Sequence, residues 1–182
     1  MVSSKEYLSE LLCRYRGNYD IEENFKLNNN FYPAYARFSS LSEKYVLRKE
    51  AKLWEIHTYE HILFIETKSV SIKMLDEIFL VMANEMEPEF VRNNQKYPEK
   101  NHMVSYLTVI IISEETPNEI VQKAIRHFYF DKGYMLNLRG HSEGHIACAA
   151  LDSQKFFSNK RGARLEKFML DSFNLRKSKK VS

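Results

Sequence analysis

Residues 106–113 read YLTVIIIS, a run of apolar, largely β-branched residues without the polar alternation of a half-exposed strand. The run fits a central strand shielded on both faces. The rest of the chain has to supply that cover. It is also the longest apolar stretch and far too short to cross a bilayer.

Helical cover is legible on either side of it. SKEYLSELLCRYRG spaces Tyr7, Leu8, Leu11, Leu12 and Tyr15 at helical intervals behind a serine start, with Gly17 as a stop. SIKMLDEIFLVMANEM carries Ile72, Leu75, Ile78, Phe79, Met82 and Met86 on one stripe, which Pro88 ends or kinks. TPNEIVQKAIRHF opens with Thr116 as a cap, Pro117 at the first helical position and Glu119 to close a capping box. RGARLEKFMLDSF reads as a closing amphipathic helix.

Strand patterns fill the intervals. YDIEENFKL, FYPAYARF, EKYVLRKEAKLWEIH and HILFIET are separated by short polar stretches, and Thr58-Tyr59-Glu60 reads as the turn of an antiparallel hairpin. YMLNLR and HIACAALD follow, with KFFSN as a hairpin partner across Asp152-Ser153-Gln154. The expectation is one α+β domain over residues 1–172, a mostly antiparallel sheet packed by several helices in the order α-β(3-5)-α-β-α-β-β-α, and a basic, disordered tail over 173–182.

At 182 residues the chain can bury a substantial core, and its 44% hydrophobic and 28% charged fractions suit a folded protein. The two cysteines, Cys13 and Cys148, sit in apolar company without metal or disulfide spacing, which predicts buried thiols in a reducing compartment. With no leader-like segment at the N-terminus, a cytoplasmic location without membrane attachment is expected.

The net charge of +3 is too small for a dedicated nucleic-acid binder, yet its excess is uneven. Between Lys155 and Lys180 nine basic residues face only Glu166 and Asp171. Lys160, Arg161, Arg164 and Lys167 are the candidate contact residues there for nucleic acid or another acidic macromolecule.

RGHSEGH, residues 139–145, is the most chemical-looking stretch. His141, Glu143 and His145 alternate onto one side only if extended, where side chains diverge and seldom enclose a metal ion. Gly140 and Gly144 bracket a polar tetrapeptide between apolar runs, so the expectation is a hairpin turn with no metal. His57 and His61 flank the earlier hairpin as a cross-strand pair, and Tyr32 and Tyr35 read as packing residues. No GxSxG elbow, P-loop or GxGxxG after a strand occurs, so no cofactor is implied.

Four stretches, YLSELLxRYxGNYDIE, EKYVL followed by AKLW, LTxIII and a late LRGxSE, resemble an uncharacterised family of small bacterial proteins with no assigned function. A second resemblance is to restriction-endonuclease-like nucleases, whose core order is α, β, β, β, α, β and whose catalytic strand ends in acid-x-lysine, as Glu66-Thr67-Lys68 does after ILFI. That resemblance implies a Mg²⁺ or Mn²⁺ ion held by Glu66 and an earlier acid, Glu55 or Glu50, with Lys68 orienting the attacking water. The Pro-Asp expected before the hairpin is absent.

The residues point first to a non-catalytic binding or accessory module, possible partners being nucleic acid or another anion. A metal-dependent nuclease and a self-associating structural subunit, a homo-oligomer, are the alternatives.

Overall fold

The computed structural model describes residues 3–44 and 54–179. The elements run α1 (Ser4–Tyr15), β1 (Asp20–Leu27), β2 (Asn30–Lys44), β3 (Trp54–Thr67), α2 (Ile72–Val81), a π-helix (Met82–Val91), β4 (His102–Ser113), α3 (Glu119–His127), β5 (Asp131–Gly133), β6 (His141–Ala150), β7 (Lys155–Ser158), a 3-10 turn (Gly162–Leu165) and α4 (Glu166–Lys179). Among the described residues this is an α+β architecture of four α-helices and one seven-stranded sheet. No described helix is long and apolar enough to cross a membrane.

The sheet order is β1-β2-β3-β4-β6-β5, with β7 also on β6. Its central strands β3, β4 and β6 are parallel, and the remaining pairings are antiparallel. β4 lies in the middle, as YLTVIIIS requires. Leu107, Val109 and Ile111 pack beneath α2, the π-helix and α3 with Leu75, Ile78, Met82, Val121 and Ile125. Ile110 and Ile112 pack on the opposite face beneath α1 and α4, against Leu11, Tyr15, Met169 and Phe173. Each such fully buried side chain contributes roughly 1.5–3 kcal/mol, so the two faces stabilise the fold comparably.

α1 starts as expected: the Ser3 hydroxyl accepts from Glu6 N–H, the Glu6 carboxylate accepts from Ser3 N–H, and Tyr7, Leu8, Leu11, Leu12 and Tyr15 are buried. Cys13 lies on the outer side of this helix and is exposed, whereas Cys148 is buried. α3 begins later than the sequence suggests. Asn118 caps it by accepting from Val121 N–H at 3.0 Å, while Thr116 donates its amide and hydroxyl to Asp152 in the β6–β7 turn.

Two strand expectations need correction. Thr58-Tyr59-Glu60 is no turn, because β3 runs unbroken through it, paired with β2 on one side and β4 on the other. The connection joining β2 to β3 falls on residues outside the described set. YMLNLR is not a strand either, and a three-residue strand, β5, precedes it. Residues 134–140 form a closed loop in which Tyr134 N–H donates to Gly140 O and Arg139 N–H to Tyr134 O.

That loop puts Met135, Leu136 and Asn137 at φ of 50°, 53° and 65°, and Gly140 at 73°. Left-handed backbone costs a side-chain-bearing residue roughly 1–2 kcal/mol. Gly140 is needed at its position, since a Cβ there would meet Met103 O at 2.1 Å.

α2 gives way at Val81, but the helical path does not end before Pro88. The chain continues into the π-helix, which keeps Met82 and Met86 buried and passes through Pro88, a residue without the amide an α-helical turn would use. Ile72 and Phe79, expected on the buried stripe, are 40% and 41% exposed.

Candidate functional site

The nuclease-like residues do not converge. Glu55 and Glu66 sit near opposite ends of one strand, eleven residues apart, which at roughly 3.3 Å per residue separates them by about 36 Å. Lys68 lies beyond the strand, exposed, with Nζ 3.8 Å from Glu115. Glu50 lies outside the described residues. Among the described residues no three His, Cys, Asp or Glu side chains gather where they could hold a metal ion.

RGHSEGH and the basic segment, which read as separate features, meet on one face of the sheet. His141–His145 opens β6 rather than forming a turn, so the strand carries His141, Glu143 and His145 toward α1 and α4. Gly144 faces the other way, where a Cβ would meet Phe130 at 2.7 Å and the Met82 sulfur at 2.9 Å. Both glycines are required, one by the loop and one by close packing.

Arg161 reaches Asp131 at 2.6 Å and Glu143 at 2.9 Å. Arg164 donates to buried Glu60 and to His145 Nδ1, the latter at 3.3 Å. Glu60 also accepts from Tyr19 OH at 2.7 Å and Thr108 Oγ1 at 2.9 Å. Arginine has no acceptor, so His145 Nδ1 must be the bare nitrogen, and Nε2–H donates to Glu143 at 3.1 Å. Burial and then Arg164 hold the His145 pKa below its usual value, against the pull of Glu143. The arrangement is a clamp fastening the start of α4 to the sheet. It pairs Arg161 and Arg164 with acids of the fold; Arg161 is partly buried, whereas Lys160, Arg164 and Lys167 are exposed.

The opposite face holds a cleft of about 550 Å³. β2 contributes Tyr35 and Arg37, β3 contributes Tyr59 and His61, and the π-helix and the segment after it contribute Phe90 and Glu99. Tyr35 OH shares a hydrogen bond with His61 Nδ1 at 2.7 Å. The two rings are 6.1 Å apart and only 13° from parallel, so they lie edge to edge as a platform. Phe90 covers the seam, its centroid 5.0 Å from Tyr35 and 5.1 Å from His61.

His61 is 3% exposed. Burial, with Arg37 and His102 adding, lowers its pKa to about 3, so it is a neutral imidazole. Its Nε2, pointing away from Tyr35, is buried without a hydrogen-bond partner among the described residues. At the rim, Glu99 accepts from Tyr59 OH at 2.7 Å and lies 2.8 Å from His57 Nδ1. The Arg37 guanidinium sits 5.8 Å over the Tyr59 ring. No ion pair to Arg37 occurs among the described residues.

The wall carrying Phe90 is anchored by Glu87, a fully buried residue of the π-helix. Arg92 grips its carboxylate at 2.6 and 3.2 Å, Lys132 at 2.8 Å and Tyr134 OH at 2.8 Å. Burial pushes the Glu87 pKa up, but these donors outweigh it and the carboxyl ends below its usual value.

The signal for this site was present in the sequence. His57, Tyr59 and His61 alternate, and an unbroken strand puts all three on one side. A turn assigned to 58–60 scatters them.

The chain matches, over residues 3–171, the model of a family described as a domain of unknown function (DUF8052). No curated protein and no solved structure matches it.

Proposed function

The chain belongs to this family of domains of unknown function, and from its own geometry we propose that it is a binding module holding a small, planar, anionic ligand in the His61 cleft. The observation that carries this reading is His61 Nε2, a buried and unpartnered polar atom on a residue lining the cleft. Leaving such an atom unpaired costs about 1–3 kcal/mol, a cost that a ligand's polar edge would offset.

The other groups fit the same chemistry. Phe90 and Tyr35 offer partly exposed aromatic surface, Arg37 offers a cation, and about 550 Å³ lies within the range of small-molecule sites. Of the other charges at the cleft, Glu99 engages His57 and Arg92 engages Glu87, and Glu89 adds a further carboxylate to the lining. Contact of the basic segment with nucleic acid has less support, because Arg161 and Arg164 are each paired with acids of the fold. Nuclease chemistry through Glu55, Glu66 and Lys68, with Mg²⁺ or Mn²⁺, has less still.

The test is calorimetric titration with planar anions such as benzoate, nicotinate and adenosine monophosphate. Tyr35→Phe/His61→Phe replaces both hydrogen-bonded partners by apolar groups of similar shape and should keep the fold near neutral in stability. We expect one-to-one binding by the wild type and a loss of about 10–100-fold in the variant. Equal affinity in both proteins, or no binding across the panel, would contradict the proposal.

A further inference from the structure

Leu136 and Leu138 are 97% and 79% exposed, at the tip of the loop that joins β5 to β6. They add nothing to the core, and Leu136 sits in the left-handed region that a leucine avoids. The tip is nevertheless rigidly built. Besides the bonds that close it, Leu138 N–H donates to Met135 O and Gly140 N–H to Asn137 O, both at 3.0 Å. A strained, pre-arranged apolar tip serves something outside the monomer's own folding.

The same chain carries a receptacle of matching chemistry. Beside α2 lies a cleft of about 540 Å³ whose walls include Tyr32, Leu63, Ile65, Met74, Leu80 and Val81. It opens over β2, β3 and β4, whereas the tip rises from the β5–β6 edge of the sheet. A closed loop of seven residues cannot cross the intervening strands, so the occupant must come from another molecule.

We propose that the protein self-associates by seating Leu136 and Leu138 of one copy in the α2 cleft of a second copy. The surroundings favour a protein over a lipid surface. The cations flanking the tip are engaged, Lys132 by Glu87 and Arg139 by Pro98 O, and are not displayed for anionic headgroups. The contact joins two different surfaces, so it closes into a pair when both tips engage and otherwise propagates. This inference is independent of the His61 cleft.

Sedimentation velocity on the full chain, from low micromolar to near-millimolar concentration, tests it. The wild type should sediment faster as concentration rises. Leu136→Asn/Leu138→Ser should stay monomeric, and at dilution its Tm should rise by about 2–4 °C, because asparagine tolerates the left-handed backbone. Leu80→Glu, at the exposed rim of the cleft, should also stay monomeric. Mixing the two variants, each with one intact half, should restore a one-to-one complex. A wild type monomeric throughout, a tip variant that still associates, or a mixture that remains monomeric would overturn the proposal. So would tip-dependent binding to phosphatidylserine vesicles by a monomeric wild type.

Discussion

Glu87→Gln is expected to destabilise the protein by about 3–5 kcal/mol, lowering Tm on the order of 10 °C or more. The amide keeps the shape but loses the charge that Arg92, Lys132 and Tyr134 share, and its NH₂ presents a donor to donors. Arg92 is left with a half-satisfied guanidinium in a side chain only 19% exposed. The control is Glu77→Gln, which breaks the exposed Lys73–Glu77 pair and should cost no more than about 0.5 kcal/mol. Chemical denaturation at neutral pH measures both. Because Glu87 anchors the π-helix, a partly folded Glu87→Gln protein should also lose affinity at the Phe90 wall.

The second large effect is acid sensitivity from His61. In the unfolded chain its imidazole takes a proton near pH 6.5, while in the folded protein burial holds that off until about 3. Below 6.5 the unfolded state therefore binds a proton that the folded state refuses, and stability falls as pH drops toward 3. Over the whole window this amounts to about 4–5 kcal/mol. Glu87, His102 and His145, all with lowered pKa values, push in the same direction, Glu87 only below about 4.5. The His61 share is isolated by comparison with Tyr35→Phe/His61→Phe: the two stability curves should converge at neutral pH and separate as the solution is acidified, with the wild type falling faster. Parallel curves would mean that His61 is not the desolvated group described.

Legibility in the sequence followed sequence distance. YLTVIIIS announced a strand covered on both faces because its neighbours along the chain carry the pattern, and α1 announced itself through Ser3, Glu6 and a complete stripe. Features set by partners far along the chain stayed hidden. Arg164 is paired with Glu60, 104 residues away, so a local excess of charge overstated the unpaired basic charge. Glu60 itself looked like a turn residue because a carboxylate within a strand is credible only once Tyr19, Thr108 and Arg164 are known to surround it. That misplaced turn then concealed the His57-Tyr59-His61 face and the cleft with it. In RGHSEGH, two glycines were assigned one role, although Gly140 serves backbone conformation and Gly144 the approach of Met82. The widening of α2 into a π-helix left no mark but Pro88.

The account rests on His61 as a neutral, buried imidazole whose Nε2 has no hydrogen-bond partner among the described residues. Long-range ¹H–¹⁵N spectra of histidine-labelled protein, recorded through an acid titration and again with the strongest binder of the planar-anion panel, test this most directly. Of the six histidines, the one lost in His61→Phe should remain neutral below pH 5 and its Nε2 resonance should move with ligand saturation. A His61 signal that titrates near 6.5, or stays still while ligand binds, would contradict the account.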